Sequence, residues 1–196
     1  MKKLNRLRGR CPEVISDSSK IPPDIGVPGT GWLCGFVLAP SSDEPDLFVI
    51  LLEDRNSGWP VLSQGRIVLF TRLELARRAL SMDDDPLLRR ARLPHPKLDQ
   101  TYVFDLGEVI AVLHTAEADM NALIVNFLNL LLDLVNASGV PMPVGYRRAL
   151  HHLANEMTFS RDLATFFAMR GHSRATTINA IYWSLGAVLS RAILLR

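Results

Sequence analysis

The sequence predicts an α+β protein: a small antiparallel sheet with one or two helices, followed by a C-terminal helical bundle packed on it. The first half contains short apolar runs bounded by Pro, Gly, Asp and Ser, whereas the second half contains long apolar segments with few charges. We therefore expect an extended basic and Pro-rich segment (1–30), a sheet-containing part (31–105) and a helical part (106–196) that forms one compact unit with the sheet.

Four short runs rich in β-branched and aromatic residues predict the strands, at 31–39, 46–54, 65–71 and 101–105. Turn-like spacers separate the first three runs, so an antiparallel meander is the simplest connection. These three runs are apolar on both faces in part, which predicts that other elements cover both sides of the sheet.

The third strand leads directly into a helix. Thr71 is the expected N-cap, Glu74 completes a capping box, and Phe70 and Leu75 occupy the flanking hydrophobic positions. The helix is expected to end at the acidic run 83–85, which is more typical of a solvated helix end than of a cation site.

The second half predicts a series of helices with recognisable ends. Asp105 and Glu108 form a second capping box, and Gly139 is suited to the end of the long helix that contains residues 126–136. We expect a further helix over about 145–155. Ser160 is the expected cap of the next helix, and Ser173 caps a last helix that continues to the C-terminus.

Composition excludes several classes of function. The formal net charge of +2 provides no strong field for nucleic acid, and no segment is long and apolar enough to predict a membrane span. The two cysteines, Cys11 and Cys34, form no disulfide framework, which favours the cytoplasm. We expect no cofactor, no nucleic-acid partner and no membrane association.

A narrow polar stripe runs along the long apolar helix NFLNLLLDLVN. Asn126, Asn129, Asp133 and Asn136 fall within an arc of about 80° at 100° per residue, and the other positions are apolar. This pattern predicts a central helix that other elements contact on more than one side. The stripe is then an exposed seam, a buried hydrogen-bonded ladder, or the lining of a cleft or partner interface.

The next helix carries a cluster of polar residues that predicts either a small-ligand site or a solvated surface. The cluster contains Tyr146, Arg147, Arg148, His151, His152 and Glu156. His152 and Glu156 supply only two metal ligands, so we predict neither a metal site nor catalytic residues. Trp59, in a turn-like GWP, and the polar residues of both helices are candidates for interaction.

The last helix has a face of small residues, Ala180, Ser184 and Ala187, that would permit close approach of a second copy. Homo-oligomerisation through this C-terminal helix is therefore one hypothesis for the partner.

The segment GRIVLFTRLELARRAL (65–80) resembles the strand and capped helix of SseB-like domains and of immunity proteins from bacterial polymorphic-toxin systems. The second half, with VFDLGEVIAVL and LNLLLDLVNASGVPMP, resembles uncharacterised bacterial proteins. The first resemblance implies a small cytoplasmic binding protein, and it carries no catalytic residues to this chain.

These observations favour a non-catalytic bacterial protein that binds another protein, with an immunity-type inhibitor of a toxin as the narrower hypothesis. The rival hypotheses are an enzyme or anion sensor with a pocket around Tyr146, Arg147, His151, His152 and Glu156, and a homo-oligomeric structural protein.

Overall fold

The computed structural model describes residues 30–39, 42, 44–53, 58–81, 101–115, 121–159, 162–169, 171 and 173–196. The expected N-terminal segment (apart from Thr30), the acidic run 83–85 and the expected cap Ser160 lie outside these residues. The strands are β1 (Thr30–Val37), β2 (Leu47–Glu53), β3 (Gly58–Pro60), β4 (Leu62–Ser63), β5 (Arg66–Phe70), β6 (Thr101–Asp105) and β7 (Ile193–Leu195). The helices are α1 (Leu73–Ser81), α2 (Leu106–Thr115), α3 (Asn121–Ser138), α4 (Val144–Phe159), α5 (Leu163–Ala168) and α6 (Arg174–Arg191).

The strands form one sheet in the order β4-β5-β2-β1-β6, with β3 also paired to β2 and β7 to β5. The predicted α+β class is confirmed, with most strands in the N-terminal half and most helices in the C-terminal half. The pairs β1–β2, β2–β3, β2–β5 and β4–β5 are antiparallel. The pairs β1–β6 and β5–β7 are parallel, because β6 and β7 reach the sheet only after long connections that contain helices.

Helices cover both faces of the sheet, as the apolar strands predicted. On one face, Leu33, Ile50 and Val68 form a core with Ala76 and Ala79 of α1. On the other face, a second core contains strand residues such as Val49 and Leu69 and the buried residues of α2 to α6. This second core joins residues of the 31–105 part to residues of the 106–196 part.

The long helix α3 is the centre of the helical layer, as the narrow polar stripe predicted. It packs on α4 and α6 and contacts β3 and β5 of the sheet. Its buried side chains include Ile124, Phe127, Leu128, Leu131 and Leu134. Among the helices that the structure describes, none is long and apolar enough to cross a membrane.

Several predicted helix ends are confirmed, and the caps expected at Ser160 and Thr71 are wrong. The amide of Glu108 donates to the Asp105 carboxylate at 3.1 Å, and the amide of Thr176 donates to the Ser173 hydroxyl at 3.3 Å. Gly139 adopts a left-handed φ of 68° just after α3. The cap of α5 is Asp162 rather than Ser160, because α5 begins only at Leu163.

The C-terminal residues form a strand that the sequence did not predict. Helix α6 ends at Arg191, and β7 then pairs with β5. The Arg66 guanidinium donates to the carbonyl oxygens of Arg191 and Ala192, both at 2.8 Å. Thr71 donates from its amide and its hydroxyl to the Leu195 carbonyl oxygen, so its hydroxyl is engaged with β7 and α1 begins at Leu73.

Candidate functional site

The polar stripe of α3 is a half-buried edge. Asn126, Asn129 and Asp133 are half-buried, and Asn136 is exposed. In the described part of the chain, none of these four side chains makes a hydrogen bond, so the interpretation of a hydrogen-bonded ladder is wrong for these residues. The exposed-seam and interface interpretations both fit this partial burial.

Asp133 is the one charged side chain of α3, and its environment disfavours the charge. Burial raises the pKa of the Asp133 carboxyl to about 6. Among the described residues this carboxylate has no hydrogen-bond partner, so burial is the cause of the raised pKa. The described residues also contain no group of three or more His, Cys, Asp or Glu that is arranged to hold a metal ion.

The polar cluster on α4 is spread around the helix. The Tyr146 ring packs against Trp183 of α6, with the ring centroids 6.2 Å apart. Arg147 is exposed and Glu156 is half-buried. Nine residues separate these two, which places them on opposite sides of the helix, at about 180°. The residues of the rival pocket therefore do not converge on one face of α4.

The remaining residues of this cluster have different environments. His151 is half-buried, and its pKa is lowered by burial and then by the charges of Arg147 and His152. Its imidazole is therefore neutral near pH 7. Arg148 and His152 are exposed. This combination is typical of a helix with one packed side and a solvated side.

Trp59 and Cys34 both pack in or against the hydrophobic cores of the fold. Trp59 lies on β3 rather than in a turn, and it is half-buried against the core beneath α1. Cys34 is a buried free cysteine, and burial raises the pKa of its thiol to about 12. A thiol with that pKa is protonated and unreactive at neutral pH.

The small-residue face of α6 is used inside the chain. Ala180, Ser184 and Ala187 are buried, because α6 packs with this face on α3 and α4. The Ser184 hydroxyl donates to the Ala180 carbonyl oxygen at 2.6 Å, so this buried hydroxyl has a partner. The expectation that these three residues contact a second copy is therefore wrong.

The opposite side of α6 is a surface that sequence analysis missed. We define the outward face as Ile178, Tyr182, Leu185, Gly186 and Leu189, which span an arc of about 100°. Ile178 and Leu185 are half-buried against the helical core, and the other three are exposed. Tyr182 is 52% exposed and Leu189 is 44% exposed. Helix α6 carries no charged residue between Arg174 and Arg191. The polar side chains that α6 presents to water lie beside this face, at the exposed residues Thr176, Asn179 and Ser190.

A shallow apolar groove adjoins the outward face of α6, where the helix meets the ends of β1 and β2. The complete lining is Phe36, Leu38, Leu47, Leu69, Leu134, Leu185, Val188 and Leu189. A groove without polar lining groups offers packing for an apolar side chain and no group for chemistry.

The signal for this surface was present in the sequence. Ile178, Tyr182, Leu185 and Leu189 follow spacings of four, three and four residues, which is the spacing of a helix–helix seam. The sequence does not reveal which of the two faces of α6 is buried, because both are free of charge.

Comparison with known proteins gives little further information. No protein-family model matches this chain, and no curated protein matches it. The chain is similar to a solved structure, the C-terminal domain of SatS in complex with bromine. The sequence identity is 14% and the TM-score is 0.47, and the likeness covers 84% of this chain and 93% of that domain. No inference about function follows from this likeness.

Proposed function

We propose that this protein acts by binding another protein, through the outward face of α6 and the adjoining groove. The observation that supports the proposal most directly is the exposure of Tyr182 and Leu189 on a helix face without charge. Contiguous exposed apolar surface is costly in water, and proteins that retain it generally use it for recognition.

The composition of this surface suits protein recognition. An exposed tyrosine provides a large ring with few rotatable bonds, which is why tyrosine is enriched at binding hot spots. The groove beside it extends the apolar surface. We further propose that the protein acts in the cytoplasm of a bacterium, where the free thiol of Cys34 stays reduced.

As a narrower proposal, the partner is a toxin and the protein is an immunity-type inhibitor. The resemblance of residues 65–80 to SseB-like and immunity proteins motivates this proposal. Inhibition by binding needs surface complementarity and no catalytic group.

The proposal predicts that one charge on the outward face abolishes partner binding. We expect Leu189→Lys to lose a protein that the wild-type chain captures from a lysate of the source organism. The reason is that burying an unpaired ammonium group costs roughly several kcal/mol. The measurement is affinity capture followed by mass spectrometry. The matched control is Thr176→Lys, which places the same charge at an exposed position outside this face.

A toxin assay tests the narrower proposal. Each captured protein, and each product of a neighbouring gene, is expressed alone and together with the wild-type chain, and host growth is measured. Growth restored by the wild-type chain and by Thr176→Lys, but not by Leu189→Lys, supports an immunity-type role. Capture of the same proteins by both lysine variants would refute the proposed surface.

A further inference from the structure

We propose that β7 is a releasable latch. Docked on β5, it holds the polar groups of Thr71 away from α1, and its release lets Thr71 cap the first turn of that helix. Three features support this conformational device: the hydrogen bonds of Thr71, the uncapped start of α1, and the short pairing of β7. The inference does not depend on the proposed function, because these hydrogen bonds do not involve the outward face of α6.

Thr71 uses both of its donors on β7. Its amide donates to the Leu195 carbonyl oxygen at 2.9 Å, and its hydroxyl donates to the same oxygen at 3.2 Å. In a capping box, that amide would donate to the Glu74 carboxylate, and the hydroxyl oxygen would accept from the Glu74 amide. An amide has a single hydrogen, so the docked strand and the complete capping box compete for it.

Helix α1 begins without a side-chain cap while β7 is docked. The helix starts at Leu73, so the residue before its first turn is Arg72, whose side chain has no acceptor oxygen. In the described part of the chain, neither the amide nor the carboxylate of Glu74 has a hydrogen-bond partner. A threonine at the cap position stabilises a helix start through its side-chain oxygen, which arginine cannot do. The sequence at 71–74 therefore specifies a more stable helix start than the docked state contains.

The apolar part of the capped arrangement is already present. Phe70 and Leu75 occupy the two positions that flank a cap at Thr71 in a hydrophobic staple, and both pack in the core under α1. Formation of the cap therefore requires a local change of the backbone that adds Arg72 to the helix, and it leaves the staple residues in place.

The pairing of β7 is short enough to open locally. In the described part of the sheet, its three residues pair only with β5. Leu194 is 40% exposed, and Leu195 is the half-buried residue of β7 that packs against the core under α1. Segments with few buried contacts open at a lower free energy than the whole fold does. The Arg66 side chain holds the carbonyl oxygen of Ala192, so only residues 193–195 need to leave.

The latch makes the start of α1 depend on the C-terminal strand. The docked state and the capped state exclude each other, so a partner that binds only one of them shifts the populations of both. A change in β7 should therefore alter the first turn of α1, and a change at Glu74 should alter β7.

Nuclear magnetic resonance of the full chain tests the first direction. Leu195→Asp places a carboxylate against the core under α1, which favours release. We expect the Cα chemical shift of Arg72 to move to helical values, and amide exchange of Glu74 to slow about two- to tenfold, as an added N-cap implies. Leu194→Asp changes the exposed neighbour in the same strand and should leave both signals unchanged. Equal or faster exchange of Glu74 in Leu195→Asp would overturn the inference.

A surface variant tests the reverse direction and does not rely on the stability of Leu195→Asp. Glu74→Ala removes the acceptor that the capped state needs, and it removes none of the hydrogen bonds between Thr71 and Leu195. We expect amide exchange of β7 to slow about two- to tenfold, because the released state loses its cap. Arg77→Ala, at an exposed position beyond the first turn of α1, should leave the exchange of β7 unchanged. The inference is wrong if β7 exchanges at the same rate in both variants.

Discussion

At the scale of single residues, Asp133 is the side chain whose burial conflicts most with its charge. It lies on the central helix α3, and burial raises the pKa of its carboxyl from 3.8 to about 6. The folded chain therefore binds this proton more tightly than the unfolded chain does. Protonation of Asp133 favours the fold, and ionisation costs stability.

The direction of the pH dependence follows from this difference. Below pH 3.8 the carboxyl is protonated in both states, and the full stability is present. As the pH rises from 3.8 to about 6, the unfolded state ionises before the folded state does, so the free energy of unfolding falls. Above about 6 the carboxyl is ionised in both states, and the contribution of its proton to stability is lost. We expect a loss of about 1–3 kcal/mol, since a pKa change of this size corresponds to about 3 kcal/mol before solvent screening.

Asp133→Asn tests this prediction. The variant removes the charge and keeps the size of the side chain, so we expect it to unfold at a higher temperature than the wild type at pH 7.5. Near pH 4 the two proteins should unfold at similar temperatures. The measurement is thermal unfolding from pH 4 to 8, with Glu44→Gln as a control at an exposed position outside the helices. An Asp133→Asn variant that is less stable than the wild type at pH 7.5 would point to an ionic partner instead.

At the scale of elements, β7 shows how a short strand is held in the sheet. Three residues pair with β5, and a single strand pair of this length has few hydrogen bonds of its own. The Arg66 side chain adds two hydrogen bonds to the backbone between α6 and β7, and Thr71 adds two to Leu195. These contacts tie both ends of β7 to β5 and to the residues after it.

We expect Arg66→Met to loosen β7. The variant removes both guanidinium bonds and keeps much of the aliphatic side chain, so the free energy of unfolding should fall by about 1–2 kcal/mol. Hydrogen exchange of the Thr71 amide, which donates to the Leu195 carbonyl oxygen, should accelerate. Arg77→Met replaces an exposed arginine of α1 and is the matched control. Equal effects of the two variants would show that the bonds to residues 191 and 192 are not what holds β7.

At the scale of the whole molecule, the sheet separates two hydrophobic cores. Ile67 of β5 belongs to the core under the helical layer, and Ile50 of β2 belongs to the core under α1. Both side chains are almost completely buried. Because backbone hydrogen bonds of one sheet connect the two strands, we expect the two cores to unfold together.

Ile67→Val and Ile50→Val test this coupling. Each variant should lower the free energy of unfolding by about 0.5–1.5 kcal/mol, the usual cost of removing one buried methylene. The two effects should add in the double variant, since the side chains lie on opposite faces of the sheet. Denaturant unfolding followed by both fluorescence and circular dichroism should show one transition. Separate transitions for the two probes would show that the α1 core and the helical core unfold independently.

Local patterns in the sequence predicted a large share of this fold. Apolar runs bounded by turn residues located β1, β2, β5 and β6, and the caps at Asp105, Ser173 and Gly139 set helix ends. These features depend on residues close together in the chain. The strand at 193–195 was missed because its partners, Arg66, Thr71 and β5, lie more than 120 residues away in sequence.

The candidate site was less accessible to sequence reasoning. The sequence by itself determined that α6 has two uncharged faces, and that the centre of α3 carries a single carboxyl. Only the tertiary structure decided that Ala180 and Ser184 pack inside the chain while Tyr182 and Leu189 face solvent. The physical reason is that helical periodicity specifies which residues share a face, whereas the neighbouring helices and sheet decide which face is buried.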